Sequence, residues 1–105
     1  MKPFILKGVI QLVNRVIRVG GDECYGTTEV DGRRFKIRLS SKAIESVDDF
    51  LNTALHEFFH LWLFIAMAVL RFNMSAAASH RIIDKAVPVA MKQFYIEYKP
   101  NRKRK

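Results

Sequence analysis

Apolar side chains recur three or four positions apart between residues 4 and 19, with basic and amide side chains between them. This period predicts an amphipathic N-terminal helix, because positions so spaced share one helix face. Pro3 suits the first turn of such a helix, and Gly20-Gly21 is a natural end.

The dipeptide Asp31-Gly32 predicts a β-hairpin, because the two-residue turns that join antiparallel strands need positive φ. After it, apolar and basic side chains alternate over residues 35–39, which is the period of a strand with one face in the core. Residues 25–30 form a weaker partner strand.

From Val47 to about Asn73 the pattern predicts one long helix, with Ser46 and Asp49 resembling a capping box at its start. A last helical stretch begins around Ser79 or His80, and Pro88 should kink it or split it in two. The expected fold is therefore an α+β domain over residues 1–98, followed by a basic tail over residues 99–105.

The long helix contains the pentapeptide HEFFH, residues 56–60. Two histidines four residues apart project from one helix face, so His56 and His60 can share a metal ion. Glu57 lies about 100° round the helix, where it can reach a water on that ion and act as general base. The nitrogen ligands favour zinc, although Co, Ni or Fe would also fit.

A catalytic zinc site needs a third protein ligand and leaves the fourth position to water. Downstream of the pentapeptide, the plausible donors are His80, Asp84 and Glu97. His80 stands at the start of the last helix, from which it could reach back over the first, and is the favoured ligand. Asp84, one turn further on, is the alternative, and Glu97 is expected to lie too far away.

Composition adds a second hypothesis. The chain of 105 residues carries a formal charge of +8, which favours acidic partners such as nucleic acid. Five of the positive charges fall in the tail, and others fall on the basic face of the predicted strand, at Arg33, Arg34, Lys36 and Arg38. The single cysteine, Cys24, permits no intrachain disulfide and fits a reducing compartment.

Two apolar segments could suggest a membrane, but neither predicts a span. The N-terminal segment is interrupted by polar residues and lacks a cleavage signal. The run at residues 61–70 is about half the ~20 residues that a span requires, and it is expected to be part of a buried core helix. A soluble, cytoplasmic protein is therefore expected, with self-association through this apolar run as an open alternative.

The stretch FKIRLSSKAIESVDDFLNTALHEFFH resembles that of minimal zincins: the minigluzincins, the SprT-like proteases and the short HExxH proteins of phages. The likeness covers about residues 34–96. It implies a layout of N-terminal helix, small antiparallel sheet, HExxH helix and C-terminal helix. A third histidine is closer to the SprT-like pattern than to the glutamate of gluzincins.

The resemblance also implies roles for further residues. The strand before the motif helix would be the sheet edge that pairs with an extended peptide substrate, which places Phe35, Lys36, Ile37, Arg38 and Leu39 there. Tyr95 and Tyr98 are candidates for stabilising the oxyanion. The expected function is a zinc metallopeptidase. The alternative is a nucleic-acid-binding or regulatory module of phage type with an inactive or structural metal site.

Overall fold

The computed structural model describes the backbone of residues 7–97 and the side chains of residues 7–95. This part of the chain contains five strands followed by two helices, which confirms the α+β class. The elements are β1 (Lys7–Val13), β2 (Ile17–Val19), β3 (Asp22–Cys24), β4 (Gly26–Asp31), β5 (Arg34–Ser40), α1 (Val47–Leu70) and α2 (Ala76–Glu97). The predicted basic tail and Tyr98 lie outside the described residues.

The predicted N-terminal helix is wrong wherever the structure describes it. Residues 7–13 form β1 and residues 17–19 form β2, while positions 1–6 lie outside the described range. β1 pairs in parallel with β5, in a register that joins Ile10 to Ile37. Valine and isoleucine are frequent in this segment and favour strands. Gly8 lies under the ring of Phe35, and a Cβ at position 8 would overlap that ring.

The main sheet has three strands in the order β1-β5-β4, and β2 pairs with β3 in a separate antiparallel ribbon. The main sheet is therefore mixed, not antiparallel throughout, because β4 runs antiparallel to β5 while β1 runs parallel to it. β5 is the central strand, hydrogen-bonded on both sides. The prediction that Phe35–Leu39 forms a peptide-binding edge is consequently wrong, and within residues 7–97 the edge strands are β1 and β4.

The hairpin between β4 and β5 is confirmed, with its turn shifted by one residue. Asp31 pairs with Arg34, so the central turn residues are Gly32 and Arg33. Gly32 has φ of +62° and Arg33 does not have positive φ. Positive φ at the first central position alone is the pattern of a type II′ turn, for which glycine is preferred.

Helix α1 begins where the sequence predicted. The Ser46 hydroxyl accepts a hydrogen bond from the backbone N–H of Asp49 at 3.0 Å, as an N-cap does. The helix ends at Leu70, three residues earlier than predicted, with Arg71 in the left-handed conformation. By length and composition α1 could cross a bilayer, and most of it is exposed, so it is not the buried core helix that was expected.

Helix α2 begins at Ala76, about three residues earlier than predicted, and runs through Pro88 without a break. The Ser75 hydroxyl accepts a hydrogen bond from the N–H of Ala78 and so caps its first turn. Two apolar clusters hold the fold. One joins sheet to α1 through Ile37, Leu39 and Leu61, and the other joins α1 to α2 through Leu63, Ile83 and Val87.

Candidate metal centre

Three histidines converge where the first turns of α2 pass α1. His56 and His60 lie one turn apart on α1, with ring centroids 4.7 Å apart. His80, near the start of α2, lies 5.6 Å from the His56 ring and 4.9 Å from the His60 ring. One ring nitrogen of each histidine falls within 4.8 Å of the others. The structure thus brings together the three residues named from the sequence.

The donor set fits a zinc ion. The Nε2 atoms of His56 and His60 are 3.1 Å apart. Two nitrogens bound tetrahedrally to zinc at 2.0–2.1 Å would lie about 3.3 Å apart, so this pair needs almost no adjustment. Three protein nitrogens with a fourth position open is the arrangement of a catalytic zinc site, whereas structural sites use four protein ligands.

The surroundings of His60 keep its imidazole neutral, as a metal ligand must be. Burial of the ring, assisted by repulsion from His56 and His80, lowers the pKa of His60 from 6.5 to about 4. Charging a ring that is partly removed from water is costly, and two further imidazoles nearby add to that cost. Protons therefore compete weakly with a metal at this nitrogen above pH 5.

Glu57 is almost completely buried, with 5% of its surface exposed, and it points toward the sheet. The Thr28 hydroxyl lies 2.7 Å from Glu57 Oε1 and 3.0 Å from the backbone oxygen of Glu57, and it can donate to either. Burial raises the pKa of the Glu57 carboxyl, and the Thr28 hydrogen bond and the neighbouring His56 and His80 partly oppose that rise. A carboxyl with a raised pKa is suited to accepting and returning a proton near neutral pH.

Thr28 is a site residue that the sequence did not indicate. It lies on β4, opposite Ile37, and so on the face of the sheet that packs against α1. A threonine in a strand is ordinary for its β-propensity, and no local pattern connects it with a glutamate 29 positions later. Only the packing of β4 on α1 reveals the contact.

A cleft of about 760 Å³ opens beside the histidines. Its lining comes from α1, from His80 of α2, from the β2–β3 ribbon and from four consecutive residues of β4. Residues that line it include Ile17, Tyr25, Thr28, Phe64 and the three histidines. β4 is an edge strand in the described part of the chain, so the cleft contains both the histidines and an unpaired strand edge.

The other residues proposed from the sequence lie elsewhere. Asp84 is exposed and is not among the clustered donors. The Tyr95 hydroxyl donates to the Asp48 carboxylate at the start of α1. Tyr95 lies fifteen positions after His80 on the same helix, which is about 22 Å along the axis, so Tyr95 cannot serve as an oxyanion donor there. Tyr98 and the side chain of Glu97 lie outside the described residues.

The outer face of the sheet is less basic than the sequence suggested. Arg34, Lys36 and Arg38 share that face, as alternation requires. The register places Asp31 beside Arg34 and Glu29 beside Lys36, and Glu29 also forms a salt bridge with Arg38. Carboxylates from β4 therefore offset part of the positive charge of β5.

Comparison with known proteins does not assign this centre to a family. No protein-family model, curated protein or solved structure matches the chain. The zincin resemblance consequently depends on the pentapeptide and on the geometry around it, and it stays a prediction.

Proposed function

We propose that the protein is a zinc-dependent metallopeptidase. The observation that carries the proposal is the convergence of three histidine nitrogens within 4.8 Å, next to a buried glutamate, in an open cleft. A structural role for these histidines accounts less well for the arrangement. Among residues 7–95 the hydrogen bond found at these imidazoles joins His56 to His60, and rings that contact mainly one another gain little from lying so close.

In this proposal His56, His60 and His80 hold the ion and Glu57 is the general base. Bound there, zinc would supply a Lewis acid that lowers the pKa of a water at the open position to about 7. Glu57 takes a proton from the attacking water and returns it to the leaving amine of the cleaved peptide bond. Thr28 fixes the orientation of the Glu57 carboxyl, since its hydroxyl contacts both the side chain and the main chain of that residue.

The substrate is a peptide in extended form, bound along β4 in place of the β5 edge expected from the sequence. β4 has one free edge in the described part of the chain and runs along the cleft that contains the histidines. Pairing with a free strand edge supplies main-chain hydrogen bonds without sequence preference, while the cleft walls select side chains.

The test is the metal content of protein purified without a metal-affinity tag, together with cleavage of a denatured protein such as casein. We expect about one zinc per chain, which is lost in His56→Ala, and cleavage that a chelator abolishes and added zinc restores. A folded wild-type protein that contains no zinc and takes up none would refute the proposal. Zinc binding without cleavage of any peptide in a diverse library would indicate a structural metal site and would refute the proposed peptidase activity.

A second candidate is nucleic-acid binding, favoured by the formal charge of +8 and by the exposed Lys36 on the outer sheet face. Binding of this kind weakens steeply as salt rises, because phosphate contacts release counterions. Binding to a DNA duplex that falls by orders of magnitude between 50 and 200 mM salt, and persists in Glu57→Gln, would support it. No binding at 50 mM salt would exclude it.

A further inference from the structure

The side of the molecule opposite the histidines has a large exposed apolar surface, which we call the apolar flank. It consists of Ile10 and Leu12 on β1 and of Phe58, Trp62 and Val69 on α1. Leu12 is 66% exposed, Trp62 is 63% exposed, and the other three are between 45% and 54% exposed. Soluble monomers rarely expose contiguous apolar patches larger than a few hundred Å², and patches of that size often mark an interaction site.

The two parts of the flank border the same buried cluster, formed by Ile37, Leu39 and Leu61. Ile10 pairs with Ile37, and Leu12 pairs with Leu39, so these β1 residues share the sheet face that packs against α1. Ile65 of α1 packs against the same cluster. Beside it on α1 lies an almost wholly apolar groove of about 470 Å³, lined by Leu55, Phe58, Phe59, Leu61, Trp62 and Ile65. The flank thus borders the corner between the sheet and α1, and all five of its side chains are at least 45% exposed.

The corner also contains an unpaired strand edge. The Lys7 N–H donates to the Arg33 carbonyl, and the Val13 carbonyl accepts from the Ser41 N–H, so the odd-numbered residues of β1 face β5. Main-chain groups alternate in direction along a strand. The N–H and C=O groups of Gly8, Ile10 and Leu12 consequently point away from the sheet, and no strand within the described residues pairs with them.

We propose that a second copy of this chain covers the apolar flank. The two β1 strands would lie antiparallel across a two-fold axis and pair their even-numbered residues, making one continuous six-stranded sheet. The two α1 helices would then lie on the same face of the joined sheet. Trp62 of each copy would contact the corner between sheet and α1 of the other copy. A two-fold interface requires such a self-complementary surface. Lys7 is the one charged residue of β1, so no row of like charges opposes this pairing.

The size of the flank suits a dimer. If a fully exposed large apolar side chain presents about 200 Å², the five residues leave on the order of 550 Å² uncovered. The β1 edge and the partly exposed groove residues add to this. A stable interface buries about 800 Å² on each partner, which the flank approaches.

A lipid surface suits the flank less well than a second copy does. Lipid would cover the apolar side chains, but it offers no partners for the free N–H and C=O groups of Gly8, Ile10 and Leu12. Unsatisfied backbone groups in hydrocarbon cost several kcal/mol each, whereas a second β1 satisfies them.

Dimerisation would leave the candidate metal centre open. Phe58 lies two residues after His56 and Trp62 two after His60, which is about 200° round α1, so the flank and the histidines occupy opposite faces. The proposal therefore does not depend on the proposed enzymatic function.

The first test is the oligomeric state of the full chain, measured by sedimentation equilibrium between about 1 and 200 μM. We expect a reversible dimer. Trp62→Ser and Leu12→Lys should each raise the dimer dissociation constant by about 30-fold or more, the size typical of an interface hot spot. The matched control is Val89→Ser, because Val89 is 69% exposed on α2, outside the flank; it should leave the constant unchanged. A wild-type monomer at 200 μM overturns the proposal, with or without binding to phosphatidylserine vesicles.

The second test locates the interface without any substitution. Amide hydrogen exchange of the wild-type chain is compared at high and low protein concentration. The amides of Gly8, Ile10 and Leu12 should exchange slowly in the dimer and at least ten-fold faster on dilution, while those of the central strand β5 stay protected. A dimer in which these three amides exchange equally fast at both concentrations forms through another surface, and would overturn the proposal.

Discussion

The two faces of α1 reverse the usual relation between polarity and burial. On one face Glu57 is 5% exposed and the histidines are clustered at the cleft. On the other face Trp62 is 63% exposed and Phe58 is 45% exposed. Soluble proteins ordinarily bury their aromatic residues and leave glutamates in water. In α1 the carboxylate lies inside and the indole lies outside.

This reversal indicates that neither face is explained by folding alone. Burying Glu57 costs free energy that the Thr28 hydrogen bond offsets only in part, so the fold gains little by placing a carboxylate there. Exposing Trp62 forfeits the stabilisation that burial would give it. The proposed metal centre would account for the first face and the proposed second copy for the second, and each explanation can be tested separately.

The strongest test of the polar face is Glu57→Gln. Glutamine keeps the size and a hydrogen-bonding oxygen but cannot accept the proton, so we expect peptide cleavage to fall by about 10²–10⁴-fold. Zinc content should stay at the wild-type level, because Glu57 is not a ligand. Cleavage rates and bound metal would be measured on the same preparation, and unchanged cleavage would remove Glu57 from the mechanism.

The third ligand is tested by comparing His80→Ala with Asp84→Ala. Removing a ligand should weaken zinc binding by more than the 10–100-fold typical of residues that only support ligands. Asp84 is exposed and lies outside the cluster, so its replacement should leave affinity within about two-fold. Competition with a chromogenic chelator measures both constants. Weaker binding in the Asp84 variant alone would reverse the assignment.

Thr28→Val removes the hydroxyl that contacts Glu57 and retains the shape and β-branching of the side chain. If Thr28 only positions Glu57, kcat should fall by about ten-fold, as expected for the loss of one hydrogen bond, while KM and zinc affinity change little. Thr28→Ser restores the hydroxyl and should recover most of the rate. A serine variant as slow as the valine variant would show that packing, not the hydroxyl, matters.

The smallest expected effect is a pH dependence of stability in the metal-free protein. The pKa of His60 is about 4 in the folded chain and 6.5 ordinarily, so between these pH values the unfolded chain binds a proton that the folded chain does not. Falling pH therefore favours unfolding of the wild type. The free energy of unfolding of His60→Gln, compared with that of the wild type, should therefore rise by about 1–2 kcal/mol as the pH falls from 7 to 4. Urea denaturation measures the difference, and one that is independent of pH would contradict the burial of His60.

The features that the sequence predicted correctly are mainly local ones. His56 and His60 share a face because helical geometry requires it, and the Ser46 cap depends on a contact three residues away. The approach of His80 was also predicted, because a short connection lets the second helix fold back antiparallel along the first. Whether these histidines bind zinc stays a prediction.

Most of the errors share a cause, which is contact between segments that are distant in the sequence. Residues 9–17 fit a helical period, but β1 is stabilised by a parallel partner 27 positions later. Because β1 pairs with one side of β5, the strand edge that is free beside the cleft belongs to β4 and not, as expected, to β5. The Thr28–Glu57 contact and the exposure of α1 also depend on how sheet and helix pack. Local periodicity carries no information about such partners.

The parallel pairing of β1 with β5 has a consequence for the order of folding. The β4–β5 hairpin and the α1–α2 pair each join neighbouring segments, and loop closure between neighbours costs little entropy. β1 can pair with β5 only after the twenty residues between them have closed a loop, and contacts between such distant residues form slowly. We therefore expect substitutions in β1 to accelerate unfolding more than they slow folding, which stopped-flow kinetics on Val9→Ala would reveal. A predominant effect on the folding rate would instead place β1 in the folding nucleus.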